Sequence, residues 1–240
     1  MNKDMEEFFL DGVKELFENN NKALDKKLSL IYSQLESLMW LQRGLAIKGP
    51  LPPLRGWPVS PDFLLLLQSW ILEKKPSIVV ELGCGATTIV IADALRQNGT
   101  GLLYSFEHVP MYANEIKRKL KREFLTPWVD FRVGGLVEWN QSEESFFKGE
   151  GGGCWYSGNL ADIESIDLLI VDGPPKAVCS HSRFPALPVF IDRFSDSFEV
   201  WMDDANRKDE KEICEQWAKM YGLKVESYPL EKGLSVLRNV

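Results

Sequence analysis

Hydrophobic residues near the start of the chain follow a helical spacing. From Leu24 they fall at positions 24, 28, 31, 35, 38 and 45, in alternating steps of four and three that only Gln42 interrupts. This heptad pattern predicts either a coiled-coil seam or an amphipathic helix that lies on its own domain. Three consecutive asparagines, at positions 19–21, predict a break in the helix before the seam. Residues 1–47 are therefore predicted to be a helical or coiled-coil extension that makes the protein a homo-oligomer.

A proline-rich segment follows this helical part. The stretch GPLPPLRGWPVSPD, residues 49–62, contains five prolines and predicts an extended, stiff connector over residues 48–62. Its end suits the start of a helix, because Ser60 can serve as the N-cap and Pro61 fits the first helical position. The main domain is then predicted to cover residues 63–240.

Strands and helices alternate after the connector, which predicts a parallel sheet with helices on both faces. Strands are predicted at 77–81, 102–107, 128–133, 166–172 and 199–203. Helices are predicted at 61–73, 87–97, 111–123, 184–195 and 207–221. The segments LKVESYP and LSVLRNV predict a final antiparallel hairpin, and the glycines of residues 149–153 predict a flexible loop. The predicted fold class is a doubly wound, Rossmann-like α/β sheet of seven strands, six parallel and one antiparallel.

Charge, hydrophobicity and cysteine content argue against several kinds of partner and site. The net charge of −7, a pI near 5.1 and the lack of an outstanding basic cluster argue against a nucleic-acid partner. The longest apolar run, Phe63 to Leu67, is too short for a transmembrane segment. The four cysteines are widely spaced and only two histidines are present, which argues against structural zinc and favours free thiols. We expect a cytoplasmic protein.

The stretch VVELGCGATT carries the first candidate site. The turn Gly83–Gly85 lies between a predicted strand and a predicted helix, where a ligand can approach the backbone closely. A nicotinamide-dependent oxidoreductase would require a third glycine at position 88, which is occupied by Thr88. The alternative assigns the carboxylate of Glu81 to the amino-acid end of a nucleoside ligand. Glu107, which ends the next strand, can then accept two hydrogen bonds from ribose hydroxyls.

Several motifs together resemble a known family. The E-L-G-x-G turn, the acid that ends the second strand, the run IDLLIVDGPP and the terminal antiparallel pair resemble class I S-adenosylmethionine-dependent methyltransferases over about residues 52–240. The segments RGWPVSPDF, VVELGCG, LIVDGPP, RFPALP and MDDANRKDE resemble a bacterial, glycan-associated type of these enzymes. The resemblance implies that S-adenosylmethionine is the cofactor, with Ser60 near its amino-acid end. The predicted cofactor-binding residues are Ser60, Glu81, Gly83, Cys84, Gly85, Thr87, Thr88, Glu107 and Asp172.

The second candidate site lies at the ends of two later strands. A buried strand ends in Asp172, and the next strand ends in Asp203 and Asp204, so these acids are predicted to surround one crevice. Transfer of a methyl group to a hydroxyl needs a carboxylate base, or a divalent metal such as Mg²⁺ that lowers the pKa of that hydroxyl. His181, in the loop after Asp172, is a further candidate base. The predicted catalytic residues are Asp172, Asp204 and His181.

The metal ligands would be Asp172 and Asp204. The resemblance to the catechol O-methyltransferase branch implies a metal site of two aspartates and one asparagine at these strand ends. Ala205 stands at the asparagine position, and Asn206 comes one residue late, which weakens the case for a metal. Asp204 and its neighbour can alternatively cap the helix that follows.

The acceptor is predicted to be a hydroxyl of a sugar, a glycan precursor or another small molecule. Trp155 and Tyr156 can form an aromatic wall for adenine or the acceptor, and Arg55 and Trp57 of the connector can close over the cofactor. Two other functions stay open. One is a catalytically silent scaffold that acts through its N-terminal helices, and the other is the nicotinamide-dependent oxidoreductase.

Overall fold

A computed structural model of the chain describes residues 3–139 and 153–239. The helices are Lys3–Gly44 (α1), Pro61–Lys74 (α2), Ala86–Asn98 (α3), Pro110–Arg122 (α4), Ala186–Phe190 (α5) and Lys208–Tyr221 (α6). The strands are Ile78–Leu82 (β1), Leu102–Glu107 (β2), Val129–Val133 (β3), Leu136–Trp139 (β4), Gly153–Tyr156 (β5), Ile166–Val171 (β6), Phe194–Asp203 (β7), Lys224–Tyr228 (β8) and Leu234–Arg238 (β9). None of the described helices is long and apolar enough to serve as a bilayer span.

The main sheet has seven strands in the order β3-β2-β1-β6-β7-β9-β8. The pairs β1–β2, β2–β3, β1–β6 and β6–β7 are parallel, and β9 runs antiparallel to both of its neighbours. Six strands therefore point in one direction and one points in the other, which confirms the predicted fold class. The chain moves outward from β1 to β3 and then returns to place β6 on the other side of β1. This reversal creates a crevice beyond the carboxyl ends of β1 and β6.

Side chains alternate between the two faces of the sheet, and each face is covered by helices. Val79 of β1 packs with α2 and α3, whereas its neighbour Val80 packs with α5 and α6 on the opposite face. This alternation explains why the central strands read as continuous apolar runs. The two layers hold the carboxyl ends of β1, β2, β6 and β7 along a single edge.

Helix α1 is longer and more regular than the sequence predicts. It continues unbroken through the asparagines at 19–21, so the predicted break is wrong. Asparagine costs a helix only a fraction of a kcal/mol relative to alanine, which a long helix tolerates. Leu41 is fully buried against α2, and Leu38 is partly buried there. The residues from Leu24 to Leu35 on the heptad seam remain exposed, so only the carboxyl-terminal end of the helix lies on its own domain.

Two further regions differ from the prediction. The helix expected at 184–195 is only the short α5 followed by a 3₁₀ turn, because the backbone becomes extended at Phe194, where β7 begins. The region expected to be irregular before β6 contains the antiparallel pair β4–β5, in which Val137 pairs with Trp155. The predicted glycine loop at 149–153 falls mostly on residues 140–152, which lie outside the described residues, and Gly153 begins β5.

The proline-rich connector is held against the sheet by contacts distant in sequence. Lys232, in the turn between β8 and β9, donates hydrogen bonds to the carbonyl oxygens of Gly56 at 2.8 Å and Pro58 at 2.7 Å. Asp62 accepts hydrogen bonds from Gln34 of α1 at 2.8 Å and from the amide of Glu231 at 2.9 Å. The connector, α1 and the last hairpin are therefore joined beside the carboxyl edge of the sheet.

Candidate active site

Glu81 lies near the carboxyl end of β1 and is completely buried. Its Oε1 accepts hydrogen bonds from Ser105 Oγ at 2.6 Å and from the hydroxyl of Thr88. Oε2 is also buried and has no hydrogen-bond partner among the described residues. Burial raises the pKa of Glu81 to about 7, and the hydroxyls of Ser105, Thr88 and Thr87 counteract part of that rise. An unsatisfied carboxylate oxygen in such a position is suited to receive a donor from a ligand.

Thr88 occupies the position where a dinucleotide-binding turn would carry a glycine. Its hydroxyl accepts a hydrogen bond from the amide of Gly85 at 2.9 Å and donates one to Glu81. Thr88 therefore joins the glycine turn to the buried acid, which a glycine could not do. This geometry favours the interpretation built on Glu81 over the nicotinamide one.

The glycines at this edge permit close backbone packing and leave space above the turn. Gly83 has a φ of +98°, and a Cβ there would lie 3.2 Å from the carbonyl oxygen of Asp172. A side chain would therefore strain the backbone and press on the neighbouring strand end. A Cβ on Gly85 would meet no atom within 4 Å, so that residue faces open space at the start of α3.

Glu107 ends β2 and lies beside the same turn. Its Oε2 accepts a hydrogen bond from the amide of Cys84 at 3.2 Å, and its Oε1 accepts one from the amide of Val109 at 2.7 Å. The side chain is 5% exposed, so its carboxylate is fixed in orientation. Each oxygen still has a lone pair that can accept a hydroxyl donor. Burial, together with Glu107 and Glu81, raises the pKa of the Cys84 thiol, so this cysteine is not a thiolate nucleophile.

A second group of acids lies at the ends of β6 and β7. Carboxylate oxygens of Asp172, Asp203 and Asp204 all lie within 4.8 Å of one another. The guanidinium of Arg183 donates to Asp172 at 3.1 Å, to Asp204 at 2.9 Å and to the carbonyl oxygen of Asp203 at 2.8 Å. Arg207 adds an ion pair to Asp204 at 2.8 Å. We call Asp172, Asp203 and Asp204 the acid cluster.

Two members of the acid cluster, Asp172 and Asp203, have pKa values above those of ordinary carboxyl groups. Burial raises the pKa of Asp203 to about 6, assisted by repulsion from Asp204. Burial also raises the pKa of Asp172 well above its usual value, with Asp203 the next cause and Arg183 opposing both. Both carboxylate oxygens of Asp203 are buried and lack a hydrogen-bond partner within the described ranges. A proton or a cation at this point would relieve the repulsion.

A cleft of about 460 Å³ opens beside the acid cluster. Its lining residues are Gly56, Trp57, Asp172, Pro175, Lys176, Ala177, Arg183, Asp204 and Arg207. Trp57 is 82% exposed, and the carbonyl oxygens of its segment are held by Lys232. The cleft therefore combines an exposed indole on an anchored backbone segment, carboxylates and several cationic side chains.

Two other predicted site residues, His181 and Ser60, form hydrogen bonds that differ from their predicted roles. His181 is bonded to Glu212 Oε2 at 2.8 Å and to Ser180 Oγ at 2.9 Å, and it is not among the residues described as lining the cleft. Ser60 occupies the N-cap position of α2, but its hydroxyl donates to Asp62 instead of capping a backbone amide. The structure thus brings Asp172 and Asp204 together and places His181 against α6.

The aromatic pair of the predicted wall belongs to β5 and packs into the core. Trp155 and Tyr156 are 5% and 3% exposed, and Tyr156 packs edge-on against Phe106. Burial raises the pKa of Tyr156, and the charges of Glu107 and then Asp172 raise it further. Tyr156 therefore lies between the two groups of acids, whereas Trp155 anchors β5.

The sequence predicts that Asp203 lies at the crevice with Asp172 and Asp204, but Asp203 was not among the predicted metal ligands. The third ligand was sought at positions 205 and 206, whereas the structure supplies Asp203 as the third carboxylate. Arg183 was quoted within RFPALP but was assigned no role. An arginine that is 3% exposed is unusual enough to require several acceptors, but burial is not visible in a single sequence.

A family model described as a methyltransferase domain matches residues 80–205, just over half of the 240-residue chain. The chain belongs to this methyltransferase domain family. The match includes Glu81, the glycine turn, Glu107 and the acid cluster, so both groups of acids are part of the methyltransferase domain. A comparison with curated proteins gives no match.

Solved structures show the same fold as this methyltransferase domain. An S-adenosylhomocysteine-bound methyltransferase of Podospora anserina is 12% identical with a TM-score of 0.56, and the alignment covers 85% of this chain and 86% of that one. A Geobacter sulfurreducens methyltransferase is 15% identical with a TM-score of 0.55, covering 92% and 96%. A Bacillus cereus O-methyltransferase in complex with S-adenosylhomocysteine is 14% identical with a TM-score of 0.55, covering 87% and 91%.

Proposed function

We propose that the protein transfers a methyl group from S-adenosylmethionine to a hydroxyl group. The observation that carries this proposal is the pair of buried acids on either side of the Gly83–Gly85 turn. Glu81 offers its unpartnered Oε2 to the amino group of the cofactor, and Glu107 offers its fixed carboxylate to the ribose hydroxyls. Two structural neighbours contain bound S-adenosylhomocysteine, the demethylated product of S-adenosylmethionine, which supports the same cofactor here.

Titration calorimetry with S-adenosylmethionine tests the cofactor part of this proposal. Glu107→Gln should weaken binding about ten- to a hundredfold, because charge-assisted hydrogen bonds are worth roughly 1.5–3 kcal/mol. Glu123→Gln is a matched control, since Glu123 also accepts two backbone amides, at 2.7 and 2.8 Å, but these belong to Lys48 and Gly49 and not to the glycine turn. Equal affinities for both variants would remove Glu107 from the site. Binding of NAD in preference to S-adenosylmethionine would overturn the proposed cofactor.

The acid cluster is where we place activation of the acceptor hydroxyl. Asp172 reaches the cleft with 18% of its side chain exposed, and its raised pKa makes it a stronger proton acceptor than an ordinary aspartate. The donor set also fits a divalent cation, because three carboxylates supply oxygen ligands and both oxygens of Asp203 lack partners among the described residues. A cation such as Mg²⁺, when bound by Asp172, Asp203 and Asp204, would lower the pKa of an acceptor hydroxyl.

The cleft supports a sugar, a glycan precursor or another small hydroxylated molecule as the acceptor. The exposed indole of Trp57 offers a flat surface against which the C–H face of a sugar ring or an aromatic ring can pack. Carboxylates and cationic side chains that also line the cleft can bind hydroxyl groups. The four free cysteines are consistent with a cytoplasmic location, as expected from the sequence.

The exposed seam of α1 supports a homo-oligomer as the working form of the protein. Leu24, Leu28, Ile31 and Leu35 are each more than half exposed in the single chain. Soluble monomers rarely leave a contiguous apolar stripe of this kind in contact with water. Light scattering on the full chain at micromolar concentration should give a mass above that of one chain.

A further inference from the structure

The amino-terminal part of α1 stands away from the rest of the protein. Among residues 12–33 every side chain except Val13 is exposed, and the side chain of Gln34, just beyond them, donates a hydrogen bond to Asp62 of the main domain. We call residues 12–33 the projecting stretch of α1. Its 22 residues span about 33 Å at the usual helical rise. In proteins most of the stability of a helix comes from the packing of its apolar face, and a partner would supply that packing to the projecting stretch.

The apolar residues of the projecting stretch follow the coiled-coil period. Steps of four and three assign Leu28 and Leu35 to position a and assign Leu24 and Ile31 to position d. The pattern extends backwards to Phe17 at position d. These five side chains are between 54% and 68% exposed. A repeat of 3.5 residues fits a second helix that wraps around the first, whereas a helix packed on a globular surface has no need to keep that period.

Asn21 lies in the same heptad register, at position a, seven residues before Leu28. When two identical helices run parallel and in register, each Asn21 faces the other and the two amides can hydrogen-bond. An antiparallel pair matches position a with position d of the partner, so Asn21 would face an apolar residue such as Leu24 or Ile31, and its amide would be buried without a partner, which is costly. The asparagines that suggest a helix break in the sequence thus include one that specifies a parallel pair.

The flanking positions are compatible with the parallel arrangement. Residues at g of one helix lie near residues at e of the next heptad on the partner, which here joins Asn20 with Asp25 and Lys27 with Tyr32. Neither pair places like charges together. The seam is also accessible, because the main domain contacts α1 from Gln34 onward and leaves Leu24 to Leu35 uncovered.

We propose that α1 forms a parallel two-stranded coiled coil with a second copy of the chain, in register at Asn21 and with Phe17, Leu24, Leu28, Ile31 and Leu35 in its core. This arrangement rests on the proposed self-association and adds its strand number, direction and register. It is independent of the proposed methyl transfer. The two methyltransferase domains are attached at the same end of the coiled coil.

Light scattering on the full chain tests the seam with two variants that make the same change in the same helix. Leu28→Lys places a charge in the core and should weaken association at least a hundredfold, giving a monomer at micromolar concentration. Leu30→Lys is the matched control, since Leu30 is also an exposed leucine but lies at position c, outside the seam. It should remain a dimer. The melting temperature of the main domain should be equal in both, because Leu28 does not contact it.

Disulfide formation tests direction and register. Leu24→Cys at position d should cross-link rapidly under mild oxidation, because parallel strands in register place the two sulfurs side by side. Lys26→Cys at position f and the unaltered chain with its own four cysteines are the controls, and neither should cross-link at the same rate. A wild-type monomer at tens of micromolar overturns both self-association and the coiled coil. A dimer that survives Leu28→Lys overturns the coiled coil alone. A Leu28-dependent dimer without the Leu24→Cys cross-link overturns the parallel register, and a Leu28-dependent trimer or tetramer overturns the strand number.

Discussion

Replacement of Arg183 by methionine should destabilise the folded protein, because it removes the buried cation that neutralises the acid cluster. Methionine keeps much of the length of the side chain but removes the guanidinium, which makes three hydrogen bonds and is 4% exposed. Asp172 then loses its buried cation, and Asp204 keeps only Arg207, which is 46% exposed. Breaking a buried ion pair costs roughly 3–5 kcal/mol. At about 2–4 °C per kcal/mol for a chain of this size, the melting temperature should fall by roughly 6–20 °C at neutral pH.

The loss should depend on pH in a defined direction. Burial already raises the pKa of Asp203 to about 6 and that of Asp172 well above its usual value, and loss of Arg183 should raise both further. When the pKa of a carboxyl group is higher in the folded state than in the unfolded state, the free energy of unfolding of the protein falls as the pH rises from about 4 through the folded pKa. The variant should therefore be close to the wild type at pH 5 and furthest below it at pH 8.

Thermal unfolding at pH 5 and pH 8 measures this effect. Arg193→Met is the control, because Arg193 donates to the carbonyl oxygens of Leu160 at 2.9 Å and Ile163 at 3.0 Å and balances no carboxylate through these bonds. Its loss of stability should be the same at both values of pH. An Arg183→Met variant that melts with the wild type at pH 8, or one whose deficit is equal at both values of pH, would refute the assignment of Arg183 as the cation that neutralises the cluster.

Two further predictions concern the two groups of acids. If Glu81 binds the amino group of the cofactor, the affinity for S-adenosylmethionine should increase as the pH rises through about 7, because Glu81 ionises there. Calorimetry on Glu81→Gln should show no such pH dependence. A wild-type affinity that is constant between pH 6 and 8 would contradict the role of Glu81. Mn²⁺ binding, followed by electron paramagnetic resonance, should be about tenfold or more weaker in Asp203→Asn, while Asp209→Asn, whose carboxylate pairs with Lys176 outside the acid cluster, should bind normally. Equal Mn²⁺ affinity in both variants would exclude Asp203 as a ligand.

Much of the fold could be predicted because the central strands are buried on both faces. A strand such as β6 is apolar at nearly every position and is bounded by a turn, so its limits are visible without any tertiary information. Strands β4 and β5 were missed because each has only four residues and they pair only with each other. Short pairs of this kind carry little periodicity in sequence.

The candidate site was predictable where the local sequence determines the geometry. Glu81, Gly83 and Gly85 lie within five residues, so a strand followed by a turn brings them together in one step. The acid cluster depends instead on the register of β7 against β6, which pairs Met202 with Val171 and so places Asp203 opposite Asp172. Because two aspartates follow each other in sequence, the sequence alone does not show which of them lies opposite Asp172. Arg183 lies eleven residues from Asp172 in an irregular loop, and only the folded chain returns it to the strand ends.

The bonds from Lys232 to the connector have a consequence for the order in which the two sides of the site can form. They join residues 174 to 176 positions apart, so the connector is synthesised long before the turn that carries Lys232. The proposed cofactor side, built from residues between β1 and β3, can begin to assemble while the ribosome is still making the second half of the domain. The segment that carries Trp57 gains its three anchoring bonds only when the last hairpin pairs with β7. In a nascent chain, the proposed nucleoside-binding side can therefore form early, whereas the cleft beside the acid cluster gains its fixed connector only after β8 and β9 have been synthesised.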